Sequence, residues 1–130
     1  MPDHDSMNTD IAALFDLWNS TLQTGDAKQV AALYAADAVL LPTFSSAIRQ
    51  TPDAIEEYFE EFLKSNPKGT ILHQKVSVYD QIAINSGVYQ FETSISGIEQ
   101  KMCARFTFVY RKDDKDWKII EHHSSVMPAD

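Results

Sequence analysis

The sequence predicts an α+β domain in which three helices from the N-terminal half pack into a strongly curved, mostly antiparallel sheet. Three observations lead there. Apolar residues recur at helical spacing from residue 11 to residue 63, and from residue 70 onward they alternate at the two-residue period of strands. Adjacent strand segments are separated by short turn stretches, which forces antiparallel pairing. The chain has 130 residues and is 44% hydrophobic, enough for one domain with one core and no disulfide support.

Residues 1–8 are polar and acidic, with neither a basic region nor an apolar run; the reading is a disordered tail rather than a signal peptide, with the domain at 9–130. In TDIAALFDLWNSTLQTGD the apolar stripe is Ile11, Leu14, Phe15, Trp18 and Leu22, with Thr9 or Asp10 as N-cap. Gly25 ends this helix, and Asp26 followed by Gln29 reads as a capping box for a short second helix carrying Val30, Leu33 and Tyr34. AVLLPTFSS reads as a strand halted by Pro42, which cannot donate to a ladder. Thr51 and Pro52 start a third helix whose stripe is Ile55, Tyr58, Phe59, Phe62 and Leu63, closed by Asn66, Pro67 and Gly69. Four strands follow, TILHQKVSVY, QIAINSGVYQFETSI, KMCARFTFVYRK and WKIIEHHSSVM, as a meander.

A net charge of −8 without a basic stripe argues against nucleic acid and against an anionic membrane, leaving a small molecule or another protein as partner. No run reaches the length of a membrane span. Lone Cys103 suits a reducing cytoplasm, and its apolar strand makes it core rather than nucleophile. His4, His73, His122 and His123 lack zinc-ligand spacing, and there is no phosphate loop, GxSxG elbow or CxxC pair, so no metal or cofactor is expected.

The stretch EHHSS at 121–125 concentrates ionisable side chains, yet strand alternation sends His122 and His123 to opposite faces. Glu121, His123 and Ser125 share one face; Ile120, His122 and Ser124 share the other. A three-residue loop at Asp113–Lys115 would place Arg105 opposite His123 and Thr107 opposite Glu121, so that polar meets polar. On that reading His123 is either a strand histidine bonded to a neighbour or an acid–base group, and Glu121 with Arg105 is a structural ion pair. Phe106, Phe108, Tyr110, Ile120 and His122 would then form an apolar surface too large for a monomer to expose.

Taken together, DLWNSTLQTGDAKQVAALYAADAVLLPTFSSAIRQT, AIEEYFEEFL and FVYRKDDKDWKIIEHHSSVMP make the chain resemble the nuclear transport factor 2-like superfamily, within it the association (hub) domain of calcium/calmodulin-dependent protein kinase II and its stand-alone bacterial relatives. The resemblance spans nearly all of residues 11 to 128. It implies a cone with a pocket at its wide end, dimerisation through the outer sheet face and, in kinase hubs, stacking of dimers into rings. The two pocket arginines of kinase hubs align here with Tyr89 and Thr107. The implied polar pocket is therefore Tyr89, Arg105, Thr107, Glu121 and His123, with Tyr34 and Arg49 as outer candidates. Ketosteroid isomerase is similar in shape, but LLPTFSS offers no carboxylate base and Phe15 or Trp18 stands near its phenol position. The resemblance implies a homo-oligomer holding a small organic ligand, acids among the candidates. The alternative is a cofactor-independent isomerase, dehydratase or hydrolase with His123 as acid–base group and Glu121 orienting it.

Overall fold

Asp26 caps a helix of five residues by accepting from the backbone N–H groups of Lys28 and Gln29, and Thr51 caps another by accepting from Ala54; both N-caps stand where the sequence puts them, but the Asp26 N–H goes to Thr24 Oγ1 and Gln29 donates to the Asp26 carboxylate, so the reciprocal half of a capping box is not formed. In the computed structural model, which describes residues 4–129 with side chains from Met7, the elements run α1 (His4–Leu22), α2 (Ala27–Ala31), β1 (Tyr34–Leu41), α3 (Pro52–Phe62), β2 (Lys68–Tyr79), β3 (Ile82–Ile95), β4 (Ile98–Asp113) and β5 (Asp116–Val126). A 3₁₀ turn over Leu63–Ser65 extends α3, and Asn66 in the left-handed region, φ 51°, ends it. No helix among the described residues is long and apolar enough to cross a membrane.

Two boundaries differ from the sequence reading. Residues 4–8 belong to α1 rather than to a disordered tail, while residues 1–3 of that tail lie outside the described residues. The second helix stops at Ala31, and Tyr34 opens β1 instead of closing a helix. Tyr34 already pairs with Ile119, so sheet hydrogen bonding wins the residue from a helix too short to compete for it.

The sheet order is β1-β5-β4-β3-β2, with β1 parallel to β5 and every other pair antiparallel. Two-residue turns join the meander, and residues in the left-handed region bend them: Asp80 at φ 59°, Ser96 at 52°, Gly97 at 81° and Asp114 at 57°. α1 and α3 lie against one face. Ile11, Phe15, Trp18 and Leu22 of α1 and Ile55 and Phe59 of α3 are buried, as their helical spacing requires. Asn19 clamps α1 to β2, donating to the Gly69 carbonyl and accepting from its N–H, both at 2.8 Å.

The β4–β5 register differs from the expected one by two residues. The turn is Asp114–Lys115, with Asp113 opposite Asp116, and a bulge between Val109 and Tyr110 adds a further shift, so Thr107 faces His123, Arg105 faces Ser125 and Val109 faces Glu121. A two-residue slip preserves which side chains share a face. What changes is which face lies inside. Phe106, Phe108, Tyr110 and His122 are buried beneath the helices, and Arg105, Glu121 and His123 are exposed on the other side.

The reason is energetic. Phe15 packs on Phe106 and Phe108 at 6.4 and 6.3 Å between ring centroids, and Trp18 meets Phe108 at 5.4 Å. Burying an aromatic side chain removes ~150–250 Å² from water, a gross gain of roughly 4–6 kcal/mol each. Turning the strand over would instead bury two charged side chains and an imidazole, each costing several kcal/mol without full pairing.

β3 and β2 approach closely at one point. A bulge in β2 between Ile71 and His73 drives the His73 carbonyl over Gly87, where a Cβ would stand 1.9 Å from the carbonyl oxygen. Gly87→Ala is therefore expected to destabilise the domain by about 3 kcal/mol or more in urea denaturation, since neither backbone can yield without breaking ladder bonds. A change below about 1 kcal/mol would show that β2 carries no such bulge in solution.

Candidate functional site

Where the helices meet the concave face, a line of polar side chains runs through an aromatic core. Trp18 Nε1 donates to the Tyr34 hydroxyl at 3.1 Å, Tyr34 lies 2.9 Å from His122 Nδ1, and His122 Nε2 lies 3.3 Å from the Tyr89 hydroxyl. Tyr89 donates to Ser124 Oγ at 2.6 Å, and Ser124 is hydrogen-bonded in turn to Thr43. Five elements contribute: α1, β1, β5, β3 and the segment after β1. His122 and Ser124 fall on one side of β5 because they are two residues apart, and Tyr89 reaches them across β4 over the small Ala104 and beside Phe106.

The donor inventory fixes the direction of the line. An indole N–H only donates, so the Tyr34 oxygen accepts from Trp18 and its own proton goes to His122 Nδ1. His122 then carries its proton on Nε2 and donates to Tyr89. The opposite tautomer would strand the buried Tyr34 proton, at a cost of about 1–3 kcal/mol. Of the two hydroxyls at the end, Ser124 and Thr43, one proton remains free whichever donates across the pair.

Burial keeps the line uncharged. Loss of hydration pushes the His122 imidazole down to about 3, with a smaller push from neighbouring His123. Burial raises Tyr34 and Tyr89 well above the usual phenol range, the Ser124 hydrogen bond offsetting part of it for Tyr89. The His122 ring stacks on Phe108 at 4.0 Å between centroids, further excluding water. With both ring nitrogens engaged and its pKa depressed, His122 orients hydroxyls rather than exchanging protons at neutral pH.

The free end of the line opens on a cavity of about 20 Å³, room for a single water, closed by Phe44, Tyr58, Phe62 and Phe91. A larger groove of about 470 Å³ lies on the far side of Phe44, Tyr58 and Phe62, beside Arg49. Of the pocket residues expected from sequence, the structure places Tyr89 in the interior. Arg105, Glu121 and His123 stand on the outer face, with half-buried Thr107 between them. Arg105 and Glu121 form no ion pair among the described residues, since the register sets them on different rungs. The expected interface residues Phe106, Phe108, Tyr110 and His122 are core, and Ile120 is half-buried at the bulge. Sequence reasoning assigned His122 and Ser124 to an outer surface and so missed both as interior groups. The signal was their shared face with three aromatics in an amphipathic strand pair.

A protein-family model described as the calcium/calmodulin dependent protein kinase II association domain matches residues 7–128. The chain belongs to that family. A Xanthomonas campestris protein assigned to the same association domain is 49% identical, covers 92% of this chain and 86% of its own, and superposes with a TM-score of 0.90. The hub homology domain of the Chlamydomonas reinhardtii kinase is 17% identical over 95% of this chain and 99% of its own, with a TM-score of 0.77. A Streptomyces avermitilis protein described as a dehydratase of the nuclear transport factor 2-like family is 14% identical over 98% and 100% of the two chains, TM-score 0.86. At such identities these last two show the fold alone. No curated protein matches the sequence.

The buried imidazole makes this association domain sensitive to acid. Its folded value of about 3 lies below the ordinary 6.5, so the unfolded chain binds the proton first; the stability is present above pH 6.5 and is lost as pH falls toward 3. Between pH 7 and pH 5 the loss is about 2 kcal/mol. Urea denaturation of wild type and His122→Gln, whose amide can accept and donate while staying neutral, is expected to diverge by that amount, wild type falling faster. Parallel pH profiles would remove the buried neutral histidine from the account.

Proposed function

We propose that this association domain assembles with further copies of itself through the outer face of its sheet, and that its cone holds a small organic ligand. The first part is carried by the outer face. Val39, Glu121, Val109 and Ile84 follow one another across β1, β5, β4 and β3, flanked by the row Leu41, His123, Thr107 and Ser86. All but Glu121 and His123 are half-buried although both long helices pack on the opposite side, and Val88 extends the patch. β-branched and aliphatic side chains in these rows, with Glu121 and His123 set among them and Arg105 beside Val88, give the face the mixed apolar and polar composition of an interface. The family supplies the occupant, a second copy.

The ligand reading follows from the free hydroxyl proton at Thr43 and Ser124. A carbonyl, ether or carboxylate oxygen meeting it would complete the polar line, and the aromatic walls would take an apolar body. Entry requires displacement of Phe44, which is 56% exposed on the segment between β1 and α3 and is the most readily moved wall. An enzyme built on His123 and Glu121 draws no support, because both side chains face away from the cavity.

Light scattering of the wild-type chain is expected to give at least a dimer at micromolar concentration. Val109→Glu, which sets a carboxylate opposite Glu121 in the middle of the row, is expected to give a folded monomer by circular dichroism and scattering. A wild-type monomer, or a variant with unchanged mass, overturns the assembly surface.

A further inference from the structure

We propose that the β3–β4 hairpin carries a second self-association site, at which the free edge of β4 over residues 98–102 pairs antiparallel with the same segment of a second copy. This site goes beyond the outer sheet face, shares no residue with its rows and lies outside the cone.

The hairpin outruns both of its neighbours. β3 and β4 pair with each other from Ile95 and Ile98 onward, but β2 joins β3 only at Glu92 and β5 joins β4 only at Ala104. On the β3 side, Asn66 closes the edge by donating to the Ser94 carbonyl at 3.0 Å. The β4 side stays open. There the Met127 N–H takes the Cys103 carbonyl, and Pro128 follows with no N–H to give. From residue 102 back to the turn, that side of β4 makes no backbone bond among the described residues. Because Cys103 turns its carbonyl to this edge, alternation turns the N–H and C=O groups of Lys101 and Glu99 the same way.

Charged side chains on an open edge ordinarily block pairing. Here they select one register. A two-fold axis at Gln100 sets Glu99 against Lys101 of the second copy and Lys101 against its Glu99, both as hydrogen-bonded pairs. Sliding the strands by two residues sets Glu99 against Glu99 or Lys101 against Lys101, and sliding by one leaves the backbone groups unmatched. The ends agree with the charges: the free segment is centred on Gln100, between the Gly97 turn and the bond that Met127 makes at Cys103.

The opposite face of the pair gains as well. Ile98 comes against Met102 of the second copy, and the β3 neighbours of these two are Ile95 and Phe91, so an apolar row crosses the axis. Phe91 and Met102 already belong to the core, whereas Ile95 and Ile98 are 59% and 65% exposed. Pairing covers exposed isoleucines with the core margin of the other copy. On the charged face Lys101, 3.8 Å from Glu92, would lie between two carboxylates.

The axis residue supplies the test. Gln100 meets its own copy as a non-hydrogen-bonded pair, with Cα atoms about 4.5 Å apart, inside the span of about 4.4–6.8 Å that a disulfide bridges. In the full chain carrying Cys103→Ser, Gln100→Cys is expected to form a covalent dimer under oxidised glutathione, which is reduced as the two thiols join. The rate is expected to exceed that of Ile98→Cys at least about tenfold, and adding Lys101→Glu is expected to remove that excess. Mixing Gln100→Cys chains that carry Glu99→Lys with others that carry Lys101→Glu is expected to restore it, since opposite charges then meet across the axis. Neither charge belongs to the outer-face rows, so the comparison reads the hairpin alone. Capture of Gln100→Cys no faster than Ile98→Cys, capture indifferent to Lys101→Glu in a chain folded by circular dichroism, or a mixture that stays slow each overturns the proposal. Should Lys101→Glu fail to fold, Glu99→Lys decides by the same criterion: undiminished capture overturns it.

Discussion

Trp18 sits at the centre of the cone with an N–H that donates and never accepts, and nearly every interior feature of this domain is arranged around that asymmetry. The donated bond turns the Tyr34 hydroxyl toward His122, which sets the imidazole tautomer, which turns Tyr89 toward Ser124. One donor-only group thereby tells three others which way to point. Because the members come from the first helix, the first strand, the third and last strands and the segment after β1, the same line ties the helical layer to the sheet. In a core otherwise lined with rings, each unsatisfied member would cost about as much as a lost buried hydrogen bond. The line satisfies every member up to its open end, where one hydroxyl proton of the Ser124–Thr43 pair is left free.

The two faces of the sheet differ in character. The concave face is aromatic and uncharged, with most of its polar groups in that one line and Asn85 and the Tyr110 hydroxyl buried apart from it. The convex face carries the charged and titratable side chains, Arg105, Glu121 and His123, around an aliphatic row that the helices do not reach. Strand alternation links the two, since every residue placed inside fixes its neighbours outside. On the proposal that the outer face assembles and the cone binds a ligand, the two roles fall on opposite sides of the same strands, and a substitution confined to one side tests one of them.

Much of the architecture was legible in the sequence. The spacing of Ile11, Phe15, Trp18 and Leu22, the caps at Asp26 and Thr51, the stop at Pro42 and the meander are present as expected, and so is the separation of His122 from His123. The partition of β4, and of β5 from Glu121 onward, survived a two-residue register error because alternation depends only on parity, whereas the bulge turned Ile119 inward in place of Ile120. The inside–outside assignment failed because it gave weight to polar residues as pocket residues and to Phe106, Phe108 and Tyr110 as an exposed surface. Those aromatics cover one face of a sheet that must bury one face, and their area decides which. The parallel pairing of β1 with β5 and the approach of Tyr34 and Thr43 to His122 and Ser124 join residues about eighty positions apart, and no local pattern carries that information.

The most direct test of this account is the protonation state of the His122 ring read by nitrogen NMR on imidazole-labelled protein. The expected result is a neutral ring protonated on Nε2 and bare on Nδ1, unchanged on acidification from pH 7 to pH 5. A ring protonated on Nδ1 at pH 7, or an imidazolium forming near pH 6, would contradict it.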